Sequence, residues 1–174
     1  MDPLRDVLVE RRKRHKLFVP YLTFGYPDVE SFCKLLQICE SEGVDAIEVG
    51  IPHSDPVADG PVIQTTSFMA LKQGVTPRMV PEVLSRFRLS VPLIAMTYGN
   101  IVLQYGVGEF ARDFREAGFL GLIVADFPLE ARDFLEGARG ILSRILLASV
   151  TSPLERVRRI AENSEGFLYF VSGK

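Results

Sequence analysis

Six short runs rich in Val, Ile, Leu and Phe alternate along this chain with segments whose apolar residues recur at helical spacing. That alternation restricts the fold more than any other feature, because it is the mark of successive βαβ units around a parallel sheet. The runs are LFVPYLT from Leu17, VDAIEVG from Val44, PLIAMTY from Pro92, LGLIVAD from Leu120, RILLASV from Arg144 and FLYFVS from Phe167. Between them lie Phe32, Leu35, Leu36 and Cys39; Val80, Val83, Leu84 and Phe87; Val107, Phe110, Phe114 and Ala117; and Ala131, Phe134, Leu135 and Ala138. Each set forms the apolar stripe of an amphipathic helix. Thr76 before Pro77 reads as an N-cap with proline in the first helical position, and Gly43 and Gly118 stand where helices should stop.

Such units build either a doubly wound open sheet or a (β/α)8 barrel, and periodicity does not choose between them. The first run, LFVPYLTFGYP, contains no G-x-G-x-x-G and opens no phosphate-cradling helix, so a dinucleotide fold loses its main support and a TIM barrel is expected. Complete barrels take about 250 residues. Residues 1–174 are therefore expected to form a single incomplete β/α barrel domain, with about six of the eight units.

Composition narrows the function by exclusion. The chain has 20 basic and 22 acidic residues, a net charge of −2, with no basic run extensive enough to predict a nucleic-acid or anionic-membrane surface. No signal peptide is evident, and nowhere do about 18 apolar residues run together, so a cytoplasmic protein is expected. Cys33 and Cys39 lack the spacing and His companions of a metal or redox motif and read as reduced thiols; no metal site is predicted. His15 lies among basic residues and is expected at the surface.

The informative segment is EVGIPHSDPVADGPVIQ, Glu48 to Gln64. By strand alternation Ile47 and Val49 share a face that packs under helices, while Val44, Ala46 and Glu48 face the barrel interior. Glu48 then points inward at the carboxyl end of its strand, where barrel enzymes carry their catalytic groups and where partial burial raises a carboxyl pKa toward acid–base use. A Pro-stiffened loop follows, holding Asp55 and Asp59. Either aspartate could cap the next helix, but an inward Glu with a second carboxylate at the far end of a rigid loop suits a reaction with two separately placed proton-transfer groups.

This segment, with LFVPYLTFGYPD from Leu17, MTYGNIVLQYG from Met96, LIVADFPLE from Leu122, TSPLERVRRIAE from Thr151 and FLYFVS from Phe167, resembles the alpha subunit of tryptophan synthase over nearly the whole chain, DPVADGP being the most specific string. The resemblance implies a (β/α)8 lyase that splits indole-3-glycerol phosphate into indole and glyceraldehyde 3-phosphate without metal or organic cofactor. It further implies an alpha2-beta2 heterotetramer in which pyridoxal phosphate belongs only to the beta subunit. It places the catalytic pair at Glu48 and Asp59 and the indole pocket near Tyr21, Met96, Tyr98 and Tyr169. Asp126 takes a supporting position at the end of the fourth strand. Pro52, His53, Asp55 and Pro56 would form an exposed loop at the barrel mouth that meets the beta subunit.

Two departures stand out. His53 occupies a position where the family commonly has an aromatic residue, and is read as an exchange on the outer rim. The family's phosphate is held by loops after the seventh and eighth strands, and the mobile loop after the sixth would here be reduced to Gly173 and Lys174. The 174-residue polypeptide alone is thus expected to be inactive as a lyase and prone to associate through its open sheet edges. The alternatives are a non-catalytic partner that only activates a beta subunit, distinguished by assay with indole-3-glycerol phosphate, and another phosphate-sugar barrel such as an isomerase, which the Glu48 and Asp59 spacing disfavours.

Overall fold

The computed structural model describes residues 2–172; Gly173 and Lys174, and the loop expected there, lie outside the described residues. Six parallel strands pair strictly in chain order: β1 (Tyr21–Thr23), β2 (Ile47–Gly50), β3 (Leu93–Thr97), β4 (Phe119–Val124), β5 (Ser143–Ser149) and β6 (Leu168–Val171). The order has no switch point, which is the connectivity of a barrel wall and not of a doubly wound sheet. The helices are α1 (Pro3–Arg12), α2 (Val29–Ser41), α3 (Pro61–Lys72), α4 (Met79–Leu84), α5 (Gly99–Tyr105), α6 (Val107–Glu116) and α7 (Leu154–Asn163), with a 3-10 segment over Leu129–Ala138.

Alternation along the strands divides the core in two. Ile47, Val49, Leu93, Ala95, Phe119 and Leu122 point outward and pack with Phe32, Leu36, Val80, Phe110 and Phe114 of α2, α4 and α6. Ala46, Ile94, Ile123 and Ile145 point inward, joined by Met96, Leu147 and Tyr169. The two clusters meet the two faces of one wall, as the period of the strand requires.

Helix α1 closes the amino-terminal end of this interior. Its Leu4 and Leu8, one turn apart, insert into the inner cluster. Gly121 makes the room: a Cβ there would meet Leu4 at 2.8 Å and Ile145 at 3.0 Å. A register shift between Leu93 and Ile94 brings Gly121 opposite the inward Ile94, a bulge that re-aims the strand. Asp2 fastens the helix, accepting from the Arg5 amide at 3.1 Å and the Gly166 amide at 2.6 Å, and from the Ser143 hydroxyl. Arg11 donates to the carbonyls of Val44, Asp45 and Ser90, so this basic residue ties the helix to the barrel floor.

Several local expectations are corrected. The ladder from Leu17 is regular strand only over Tyr21–Thr23; Pro20 lacks the N–H a longer ladder needs, although its carbonyl still accepts from Glu48 N at 2.9 Å. Val44 packs in the outer cluster, since it precedes β2 and escapes the strand's alternation. Thr76 is no cap: α4 starts at Met79 with no side-chain cap bond, and Thr76 instead accepts from the Met79 amide through its carbonyl. The segment with Ala131 and Phe134 is a 3-10 helix, whose three-residue repeat buries Leu129, Leu135 and Ala138 and leaves Phe134 exposed. His15 is exposed, as expected, and its Nε2 lies 2.9 Å from the buried Asp45 carboxylate.

Candidate active site

All six strands end at one rim, and the sequence-predicted residues gather there. Tyr21 of β1 is in register with Glu48 of β2, and Glu48 with Ile94 of β3, so these side chains share the inner face. Glu48 is only 6% exposed. Burial alone pushes its carboxyl from 4.5 up to about 7, since a buried carboxylate loses its hydration and gains no cation in return. A carboxyl that ionises near neutrality can both give and take a proton under working conditions.

Gly50, at the end of β2, is needed for this arrangement. A Cβ at that position would collide with the ring and hydroxyl of Tyr21, which folds across the end of the strand. Burial pushes the Tyr21 phenol up to about 12, with Asp59 and Glu48 contributing in the same direction. The Tyr169 phenol is raised by burial first and then by Glu48 and Asp59. Both rings therefore lie within electrostatic reach of both carboxylates, and both stay protonated as donors near neutral pH.

Asp59 arrives from the β2–α3 loop. It does not cap α3, whose N-cap is Gly60. Its Oδ2 instead accepts from the Tyr98 hydroxyl at 2.9 Å, and the same hydroxyl accepts from the Ala58 amide at 3.0 Å. Burial raises the Asp59 carboxyl, while the Tyr98 hydroxyl pulls it back down. Gln64, one turn into α3, donates to the Asp59 carbonyl at 2.8 Å.

Between β2 and β6 the rim opens into a cleft of about 710 Å³ lined by Tyr21, Asp59, Met96, Asp126, Leu147, Ser149 and Tyr169, among others. Its walls are largely apolar with a few polar groups, the make-up of a small-molecule site. Tyr98, 4% exposed, is not among the residues lining this cleft as expected; it reaches Asp59 through its hydroxyl. Asp126 is exposed at the end of β4, and its Oδ1 accepts from the Gly99 amide at 2.8 Å, which fixes the turn that carries Tyr98. In the loop, His53 is half-buried and Asp55 exposed, but Pro52, expected to be exposed, is buried. It follows directly on β2 and Ile51, whose amide still pairs with the Met96 carbonyl.

Gln64, Asn100 and Gly50 were not singled out by sequence reasoning. Only Gly50 had a readable signal, a glycine two residues beyond an inward Glu. Among the described residues no group of three or more His, Cys, Asp or Glu is placed to hold a metal ion, and no helix is long and apolar enough to cross a membrane.

An in-order wall of parallel strands, closed at its floor by α1 and bearing carboxylates at its carboxyl rim, defines a protein of the TIM-barrel class. Residues 8–174 match the family model described as tryptophan synthase alpha chain. The chain is 44% identical over 158 residues to the tryptophan synthase alpha chain of Prochlorococcus marinus, covering 88% of this chain and 59% of that protein. It is 42% identical over 164 residues to that of Gloeobacter violaceus, covering 92% and 59%. Its fold is similar to the crystal structure of tryptophan synthase subunit alpha from Legionella pneumophila, with a TM-score of 0.90 at 35% identity over 99% of this chain and 68% of that one. It is equally similar to tryptophan synthase from M. tuberculosis in an aminoacrylate-bound form, with a TM-score of 0.90 at 38% identity, covering 99% and 72%. This chain belongs to the tryptophan synthase alpha chain family, a lyase family of tryptophan biosynthesis, and spans about three fifths of the length of the curated relatives it matches.

Proposed function

We propose that this chain carries the acid–base half of a cytoplasmic lyase site that cleaves indole-3-glycerol phosphate to indole and glyceraldehyde 3-phosphate. The observation that carries the reading is Glu48: a buried carboxyl on the inner face of β2, ionising near neutrality and within electrostatic reach, like Asp59, of the Tyr21 and Tyr169 rings that line the cleft. In its acid form Glu48 delivers a proton to indole C3. The bond from C3 to the glycerol carbon then breaks, and its electrons return to the ring. As a carboxylate Glu48 takes the proton from the hydroxyl on that same carbon, which becomes the aldehyde. Asp59, ionised and held by Tyr98, accepts the indole N–H and stabilises the positive charge that C3 protonation spreads over the ring.

Tyr21, Met96 and Tyr169 supply the apolar walls that receive the indole plane. The outer part of the loop, with Ser54 and Asp55 exposed between the half-buried His53 and Pro56, is the surface through which a pyridoxal-phosphate beta subunit would engage the alpha chain. The phosphate would be gripped by family elements beyond the six strands described here. The six units serve the reaction as one domain.

The test is Glu48→Gln in a polypeptide of full family length, assayed for indole release from indole-3-glycerol phosphate with and without a beta subunit. The reading expects at least about a 10²-fold loss of turnover, the scale of a general acid–base group, with Asp59→Asn nearly as severe. Retention of more than about a tenth of the activity would remove Glu48 from the chemistry. A parent protein that released no indole yet accelerated the beta subunit would favour a purely activating partner.

A further inference from the structure

Tyr98 meets the loop between β2 and α3 from two sides. At the far end of the loop, Asp59 and the Ala58 amide take the phenol hydroxyl. At the near end, the His53 ring stacks on the phenol face, with centroids 4.6 Å apart and planes inclined by 24°. The imidazole does what a plain aromatic ring could not. Its Nδ1 lies 3.0 Å from the Asp55 amide nitrogen, and its Nε2 lies 2.9 Å from the Oδ1 of Asn100 on α5. An amide N–H can only donate, so Nδ1 is the acceptor and the ring proton resides on Nε2, from which it reaches the Asn100 oxygen.

We propose that His53, in its neutral Nε2–H form, is a positioning residue for Asp59: it locks the β2–α3 loop against Tyr98 and Asn100 and so sets where the Asp59 carboxylate stands. Its consequence for catalysis rests on the reading of Asp59 given above; the clamp itself does not. A second proton, on Nδ1, would set two donors against each other at the Asp55 amide. The charged groups around the ring are Asp55 and Asp59 on its own loop, Asp126 at the end of β4 beyond Tyr98, and Lys72 of α3 across the adjoining groove. Acid therefore releases the near end of the clamp, and the Tyr98–Ala58 contact weakens with it.

The experiment is NMR on the whole chain and on its His53→Ala and His53→Phe variants. It reads the His53 ring nitrogens, the exchange of the Ala58 amide corrected for its intrinsic pH dependence, and the β4 amides as a check on the fold. At neutral pH the wild-type ring should show the Nε2–H tautomer. His53→Ala should speed Ala58 exchange about ten-fold, the scale of a lost stack and hydrogen bond, with β4 protection unchanged. His53→Phe, which keeps the stack, should fall between. In wild type, Ala58 protection should drop once the ring nitrogens themselves report a second proton, and in His53→Phe it should stay level on the same acidification. An Nδ1–H tautomer, equal Ala58 exchange in wild type and His53→Ala, or the same acid loss in His53→Phe would overturn the proposal. None of these readouts uses turnover, so failure of the lyase reading would leave the result on His53 standing.

Discussion

Replacing Glu48 by Gln should stabilise this protein at alkaline pH and leave its stability unchanged in acid. The folded protein holds the Glu48 carboxyl at about 7, against 4.5 when free in solution. Because the folded value is the higher one, the protonated side chain contributes its full stability below pH 4.5, and that contribution is lost progressively until the pH passes about 7. At about 1.4 kcal/mol for each pH unit between the two values, the loss comes to about 3 kcal/mol, a sizeable part of a domain's typical 5 to 15 kcal/mol. Gln has nearly the same shape and never ionises, so the variant escapes the loss. Urea denaturation of both proteins at pH 4 and pH 8, followed by far-UV circular dichroism, measures the difference directly, provided both melt in a single transition. The midpoints should coincide at pH 4 and separate at pH 8, the Gln protein being the more stable. Equal midpoints at pH 8, or a gap that does not change with pH, would show that Glu48 is solvated and that its burial is not what tunes it.

Three further outcomes test other parts of the structure. Leu4→Ala empties the plug beneath Gly121 and should cost about 2 to 5 kcal/mol in denaturant unfolding, whereas truncating the exposed Val9 on the same helix should change little. Gly50→Ala should force the Tyr21 ring off the end of β2 and destabilise by about 1 to 3 kcal/mol, with the Tyr21 ring resonances displaced in NMR spectra. Tyr98→Phe removes the hydroxyl that holds Asp59 and satisfies the Ala58 amide; in a polypeptide of full family length it should lower turnover more than it raises KM, and a pure KM effect would deny Tyr98 a role in placing Asp59.

The class of fold was readable because βα alternation is a local property: a period of two in VDAIEVG and a period near 3.6 in the segment after Val107 require no knowledge of distant partners. Glu48 was legible for the same reason, since strand alternation sends it to the same side as Ala46, and the DPVADGP string named the loop that follows. Where local rules gave way, the backbone held a conformation other than the one they assumed. Val44 sits where the strand has not yet begun, Phe134 lies on a 3-10 turn whose repeat differs from 3.6, and Thr76 and Pro77 form a turn before α4.

Other features needed the folded chain. The basic stretch at the amino terminus hid a helix whose Leu4 and Leu8 plug the barrel floor, because its apolar residues are outnumbered by charges and its role depends on a glycine more than a hundred residues away. The pairing of Asp59 with Tyr98, and of His53 with Tyr98 and Asn100, joins residues from separate βα units. The ionisation of Glu48 belongs to this second group as well. Sequence determines which strand presents the carboxyl and to which face, whereas the water it loses is set by Tyr21, Ile94 and the rest of the inner wall closing around it, a quantity that exists only once the strands have assembled.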